Sequence, residues 1–125
     1  GGVKVGSEQT GYRICPPPNQ VPELMGELLR LFHWWWQNAK SFSRESNIAK
    51  IADFHLIFLM IHPFADGNGR TARALTYYMF VYAGLKPIIF TNGDKCETYY
   101  RCFDDPVDTT PMRRYFISKS GIGQG

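Results

Sequence analysis

The chain has 125 residues, only three cysteines and no long apolar run, and each shortage closes off a class of protein. Cys15, Cys96 and Cys102 cannot all pair with one another, and no CxxC or Cys/His cluster at zinc spacing occurs. A disulfide scaffold and a structural zinc site are therefore excluded, and a reduced, cytoplasmic setting is expected. Nowhere do the roughly 18 uninterrupted apolar residues of a membrane span occur, and the first residues lack the basic start and apolar run of a secretory leader. The opening Gly1-Gly2, with no methionine, reads as a tag remnant or the cut edge of a domain excised from a longer protein. Internal repeats and low-complexity tracts are also missing. The 14 Lys+Arg against 11 Asp+Glu give a formal charge of +3, and the basic residues are scattered rather than run together, so no nucleic-acid partner is expected.

What the chain does have is apolar and aromatic material: 44% hydrophobic residues, with 3 Trp, 7 Tyr and 9 Phe. That is enough for one well-filled core, and the length suits one domain over residues 1–125, since single cores hold about 100 to 150 residues. Residues 3–14 alternate apolar and polar side chains around a Gly/Ser/Glu/Gln/Thr/Gly stretch, the pattern of a short β-hairpin that must lie on a larger body. The Cys15-Pro16-Pro17-Pro18 run is a stiff connector, and Pro22-Glu23 suits the first turn of a helix over 21–38.

Leu24, Leu28, Leu31 or Phe32, and Trp35 recur there at helical spacing. Consecutive helical residues point about 100° apart, so Trp34, Trp35 and Trp36 cannot form one stacking platform and suit core packing or a partner contact. Residues 39–46 read as a polar loop ending near a Ser or Asn cap, and 47–61 as a central helix apolar on nearly every side. A third helix is expected over 71–83, ended by Gly84, followed by an extended segment over 85–90. A fourth helix starting at Thr91-Asn92-Gly93 should carry Tyr99, Tyr100 and Phe103. A fifth, capped by Thr110-Pro111, should run to about Lys119, leaving the terminal GIGQG frayed. The class is mainly α, a compact bundle with a small hairpin.

The segment from His62 to Arg73, HPFADGNGRTAR, carries the chemistry. A histidine at the end of a buried helix is followed by glycines that can turn backbone N–H groups inward, and then by a helix N-terminus with two arginines. Gly67, Asn68 and Gly69 form a nest for phosphate oxygens. Arg70 and Arg73, three apart, share a helical face and can both reach a polyphosphate. Asp66 beside that nest would repel bare phosphate, so it predicts an intervening divalent cation, and Mg²⁺ takes a mixed shell of carboxylate, phosphate and water. A histidine side chain has a reference range near neutral pH, so His62 is the candidate general base. Each element alone also fits a structural role: a core histidine, a plain turn, a capping carboxylate.

Together the residues resemble the signature of the Fic family (filamentation induced by cAMP): His62, Phe64, Asp66, Gly67, Asn68, Gly69, Arg70 and Arg73 fill its positions in order. The hairpin ahead of the proline run resembles that family's flap, VPELM its first core helix, and Tyr99-Tyr100 its nucleotide-side tyrosine pair, so the resemblance covers residues 3–118. It implies a Fic-like helical bundle that transfers AMP from Mg-ATP to a Ser, Thr or Tyr hydroxyl of a target protein. His62 would be the base and Asp66 the Mg²⁺ ligand. Gly67, Asn68 and Gly69 would form an anion hole with backbone and side chain, Arg70 would meet the β-phosphate and Arg73 the γ-phosphate. Phe64 reads as a core anchor that aims the loop.

The target would dock on the hairpin edge by strand addition, although a simple lid over the core fits the same residues. Cytoplasmic action is expected, in a host cell if the chain belongs to a secreted effector. Gly69 argues against the family's kinase-like branch, in which a lysine stands there. Removal of AMP, another phosphate-containing transfer, or a nucleotide-binding module without turnover remain alternatives. Ser41 to Glu45 approximates the inhibitory motif of some relatives, but Ser46 replaces its Gly or Asn, so an inhibitory element is expected from a missing segment or a partner chain. Asp104, Asp105 and Val107 stand where relatives place an adenine-contacting Asn, which leaves the base open.

Overall fold

The core is built around one helix that has almost no water-facing side. The computed structural model describes residues 3–7, 11–90, 97–105 and 107–121, with side chains from Cys15 onward apart from Glu97. Two antiparallel strands, β1 (Val3–Ser7) and β2 (Gly11–Cys15), pair Val3 with Cys15 and Ser7 with Gly11. Five helices follow: α1 (Val21–Asn38), α2 (Arg44–Ile61), α3 (Asn68–Tyr82), α4 (Glu97–Arg101) and α5 (Thr110–Ser120). The protein is mainly helical. The hairpin's turn, its side chains before Cys15, the segment expected to start the fourth helix at Thr91-Asn92-Gly93, and the GIGQG terminus lie outside the described residues.

In α2, Ile48, Ile51, Leu56, Phe58, Leu59 and Ile61 are all buried, together with Asn47 and His55. Burial on every side requires neighbours on every side, and α1, α3 and α5 supply them. From α1, Leu28 and Trp35 enter the core. The Trp35 indole N–H donates to Asn47 Oδ1 at 2.9 Å, and Asn47 Nδ2 donates to the Ala39 carbonyl at 2.9 Å, so one buried amide joins the end of α1 to the start of α2. The three tryptophans divide as their angular spacing demands. Trp35 is core, Trp36 stacks on Tyr82 with ring centroids 3.5 Å apart, and Trp34 leans on Phe42 at 5.5 Å. From α5, Met112 and Phe116 are fully buried, and Arg113 donates a two-pronged bond to Asp53 of α2 at 2.8 and 2.5 Å.

Several boundaries differ from expectation for local reasons. The central helix starts at Arg44, because Ser43 rather than a later Ser or Asn caps it, its Oγ accepting from the Ser46 N–H at 3.1 Å. Glu45 thereby falls in the first turn of α2, and Ala39–Ser41 is a 3-10 turn. The third helix starts at Asn68, so Asn68, Gly69 and Arg70 belong to its first turn. It closes as expected at Gly84, whose φ of 75° lets Leu85 N–H reach back to the Phe80 carbonyl at 2.9 Å. Residues 85–90 are extended. Helix α4 is only five residues long, so Phe103 lies beyond its end, buried. Thr109, not Thr110, holds the cap position of α5, and Asp108 Oδ1 accepts from Thr110 N–H at 3.0 Å. Among the described residues no helix is long and apolar enough to cross a membrane.

The amide at position 47 is the polar joint of this core. Asn47→Ala strands the Trp35 N–H and the Ala39 carbonyl, and is expected to cost at least about 2 kcal/mol in urea unfolding. Trp36→Ala, which loses one half-exposed ring stack, should cost about 1 kcal/mol.

Candidate functional site

At the end of α2 the chain leaves the helix abruptly. His62 adopts a left-handed conformation (φ 56°, ψ 62°) while its N–H still bonds the Phe58 carbonyl at 3.0 Å. For a residue with a Cβ this conformation costs on the order of 1 kcal/mol, and it turns the backbone straight into Pro63 and the loop. The His62 ring is part-exposed with Nδ1 enclosed.

The loop is pinned by Asn68. Its Oδ1 accepts from the Phe64 N–H at 2.9 Å and its Nδ2 donates to the Phe64 carbonyl at 2.7 Å, and the residue is buried. One expectation changes. Phe64 is not a core anchor: it is 49% exposed, with its ring 6.3 Å from that of Phe58. Asn68, expected to join the anion hole, commits its Oδ1 and one Nδ2 hydrogen to bracing the loop. Backbone donors for an anion lie beside it. The first helical bond of α3 runs from Thr71 N–H to the Gly67 carbonyl at 3.0 Å, so the N–H groups of Asn68, Gly69 and Arg70 precede any helical partner and sit at the positive end of the helix.

At both glycines a side chain would crowd an arginine. Gly67 has φ 82°, and a Cβ there would lie 3.3 Å from Arg70 Nη2. At Gly69 a Cβ would meet Arg73 Nη1 at 2.9 Å. The two guanidinium groups thus fold back over the bare glycine faces at the mouth of the nest. Asp66 is almost fully exposed, at 97%. Its Oδ1 accepts from Gly67 N–H at 2.9 Å and its Oδ2 lies 3.9 Å from Arg70 Nη2. Among the described residues no three His, Cys, Asp or Glu side chains gather as a metal cage. A single open carboxylate beside an amide nest fits a Mg²⁺ that takes its other ligands from phosphate and water.

The tyrosine pair divides. Tyr100 is half-buried, but Tyr99 lies in the core, where its hydroxyl meets His55 Nε2 at 2.6 Å, while His55 Nδ1 meets Thr76 Oγ1 of α3 at 2.9 Å. Tyr99 therefore links to the motif helix from within, through His55. This histidine was not singled out in the sequence, since it lies inside an apolar run with no motif around it. Burial, with the nearby Arg73 charge adding to it, lowers its pKa from 6.5 to about 3, against a raising contribution from a hydrogen bond to the Ala72 backbone.

On the other side of His62 a cleft of about 560 Å³ opens between the loop (Pro63, Phe64, Ala65) and the chain that follows β2 (Pro16, Pro18, Val21, Pro22). The prolines, which by sequence look only like a stiff connector, form this opposing wall. A smaller hollow of about 210 Å³ between α1 and α2 shares no residue with the loop.

The model of the Fic/DOC family matches residues 3–80. A probable protein adenylyltransferase of Aquifex aeolicus is 36% identical over 85 residues, 68% of this chain and 25% of that protein. The protein adenylyltransferase Fic of Drosophila virilis is 33% identical over 90 residues, 72% of this chain and 18% of that protein. That of Drosophila erecta is 34% identical over 92 residues, 72% of this chain and 17% of that protein. The chain spans a quarter or less of the length of these relatives.

His55 makes stability depend on pH. Its folded pKa lies below its unfolded value, so the stabilisation is complete above about pH 6.5 and is lost as pH falls toward about 3, where the unfolded chain takes up a proton that the core refuses. Urea unfolding between pH 7 and pH 4 should show a slope from this group approaching ~1.4 kcal/mol per pH unit. A His55→Gln variant should lose that share of the slope.

Proposed function

The chain belongs to the Fic/DOC family, and from that premise we propose that it is the catalytic core of a protein adenylyltransferase. AMP passes from ATP to a Ser, Thr or Tyr hydroxyl of a target protein, and pyrophosphate leaves. The observation that carries this reading is the placement of His62 on the border of two surfaces. On one side lies the apolar cleft, suited to an acceptor side chain. On the other lies the first turn of α3 with its backbone donors and two arginines, suited to a polyphosphate. The names of the Aquifex and Drosophila relatives support the same reaction class.

In this reading His62 takes the proton of the attacking hydroxyl, through Nε2 since Nδ1 is enclosed. The hydroxyl oxygen bonds to the α-phosphorus as the bond to the α,β-bridging oxygen breaks. The amides of Asn68, Gly69 and Arg70 stabilise charge on the transferred phosphoryl group, and the guanidinium groups of Arg70 and Arg73 hold the departing pyrophosphate in line. Asp66 would hold Mg²⁺, which when bound neutralises the phosphates and orients them. Asn68 acts through the backbone of Phe64 by fixing the loop, and Tyr100, the half-buried member of the tyrosine pair, would contact the nucleobase. The paired strands β1 and β2 would serve as the flap, offering an edge on which an extended target segment pairs. An inhibitory glutamate, if one acts, would come from another chain or a further segment.

Incubation with Mg-ATP labelled on the α- or the γ-phosphate, in the presence of a cell extract, tests the reaction. Protein label from the α-position alone is expected; label from the γ-position alone would sink the proposal in favour of kinase-type transfer. His62→Ala should slow transfer by at least about 10²-fold with ATP binding little changed. Gly69→Ala should leave stability the same or slightly higher, because alanine suits a helix better. It should still weaken ATP binding by displacing Arg73, which titration calorimetry would read directly.

A further inference from the structure

Hydroxyl chemistry alone does not choose among serine, threonine and tyrosine, but the walls of the cleft beside His62 bear on the choice. Among the described residues no Asp, Glu, Lys or Arg side chain lines it, so a charged occupant would lose its hydration without gaining a partner from these walls. Four of its wall residues, Pro16, Pro18, Pro22 and Pro63, have no backbone N–H. A peptide backbone drawn into the cleft would find few donors for its carbonyls, and buried carbonyls must be paired. Serine and threonine hydroxyls sit one bond from Cβ, so either could approach His62 only by bringing its own backbone inside. A tyrosine reaches in with an apolar ring and a hydroxyl at the tip, and fixes only two side-chain torsions in doing so. The Phe64 ring, half exposed at the rim, and the proline rings opposite provide surfaces for such a ring to pack on. A phenol, with a pKa of about 10, also gives its proton to an imidazole more readily than an alkyl alcohol does.

We propose that the cleft between the proline-rich chain after β2 and the His62 loop is an aromatic acceptor subsite, and that the protein modifies tyrosine in preference to serine or threonine. This rests on the adenylyl transfer inferred above. The phenolic O–H gives its proton to His62, its oxygen forms the new bond to the α-phosphorus, and pyrophosphate leaves with the electron pair of the broken bridge bond.

N-acetyltyrosinamide and N-acetylthreoninamide, titrated separately into the protein, test the subsite by the NMR shifts of the His62 and Phe64 rings. Tyrosinamide should shift both, with an affinity at least about tenfold above that of threoninamide. The same two compounds, offered together as acceptors with α-labelled Mg-ATP, should give label mainly on the phenol. Phe64→Ala, at a half-exposed position, should weaken tyrosinamide binding about three- to tenfold through the lost ring contact. Ala65→Asp, which adds a charge at the exposed rim, should weaken it independently. Equal shifts from the two ligands, or transfer to threoninamide at an equal or higher rate, would overturn the subsite. Tyrosinamide binding that both variants weaken, with no α-label transferred to any acceptor, would overturn the transfer reaction and leave the aromatic cleft standing.

Discussion

Everything in this domain is arranged around a helix that can show water almost none of its surface. Because α2 is apolar on all sides, it has to be wrapped, and α1, α3 and α5 do the wrapping. Because two polar side chains, Asn47 and His55, are buried with it, each has to find partners inside, and each becomes a joint between elements. Asn47 fastens the turn from α1, and His55 fastens α3 and α4. The same constraint shapes the end of α2. With the last turn still in the core at Ile61, the chain must turn out within one residue, and His62 takes the left-handed conformation that does so. The proposed base is therefore held by the backbone at the end of the buried central helix.

The phosphate side of the site is held differently. Arg70 and Arg73 stand in the first two turns of α3, at the positive end of the helix dipole, and no acidic residue occupies that first turn. Cations in that position are mildly destabilising. Gly67 and Gly69 remove the side chains that would push the guanidinium groups away, so positive charge is concentrated at the nest rather than dispersed. Such an arrangement costs stability without an anion and regains it when one arrives, which is the usual trade at a binding site.

Much of this was legible in the residues. The α1 boundaries, the all-round apolar pattern of α2, the glycine stop after α3 and the order of the motif could all be read from spacing and turn chemistry. The start of α3 could not, because Gly-Asn-Gly has the composition of a loop, and only the tertiary position of Asn68 shows it already helical. The role of Asn68 was hidden for the same reason: its partner is the backbone of Phe64, and backbone partners leave no mark in a sequence. Phe64 looked like an anchor by residue type, yet the loop turns its ring half outward. Tyr99 and Tyr100 looked equivalent, and only the buried His55 distinguishes them.

Helix α5 lies wholly beyond residue 80, where the family match stops, yet Met112 and Phe116 are among the fully buried side chains, and Arg113 grips Asp53 sixty positions earlier. The centre of the core thus closes only through contacts far apart along the chain. Such non-local closure slows folding, because a long loop must be ordered before its contacts repay the entropy. During synthesis the motif-bearing helices emerge first and wait with one side of α2 uncovered, so this core reaches its native packing only once α5 has followed them.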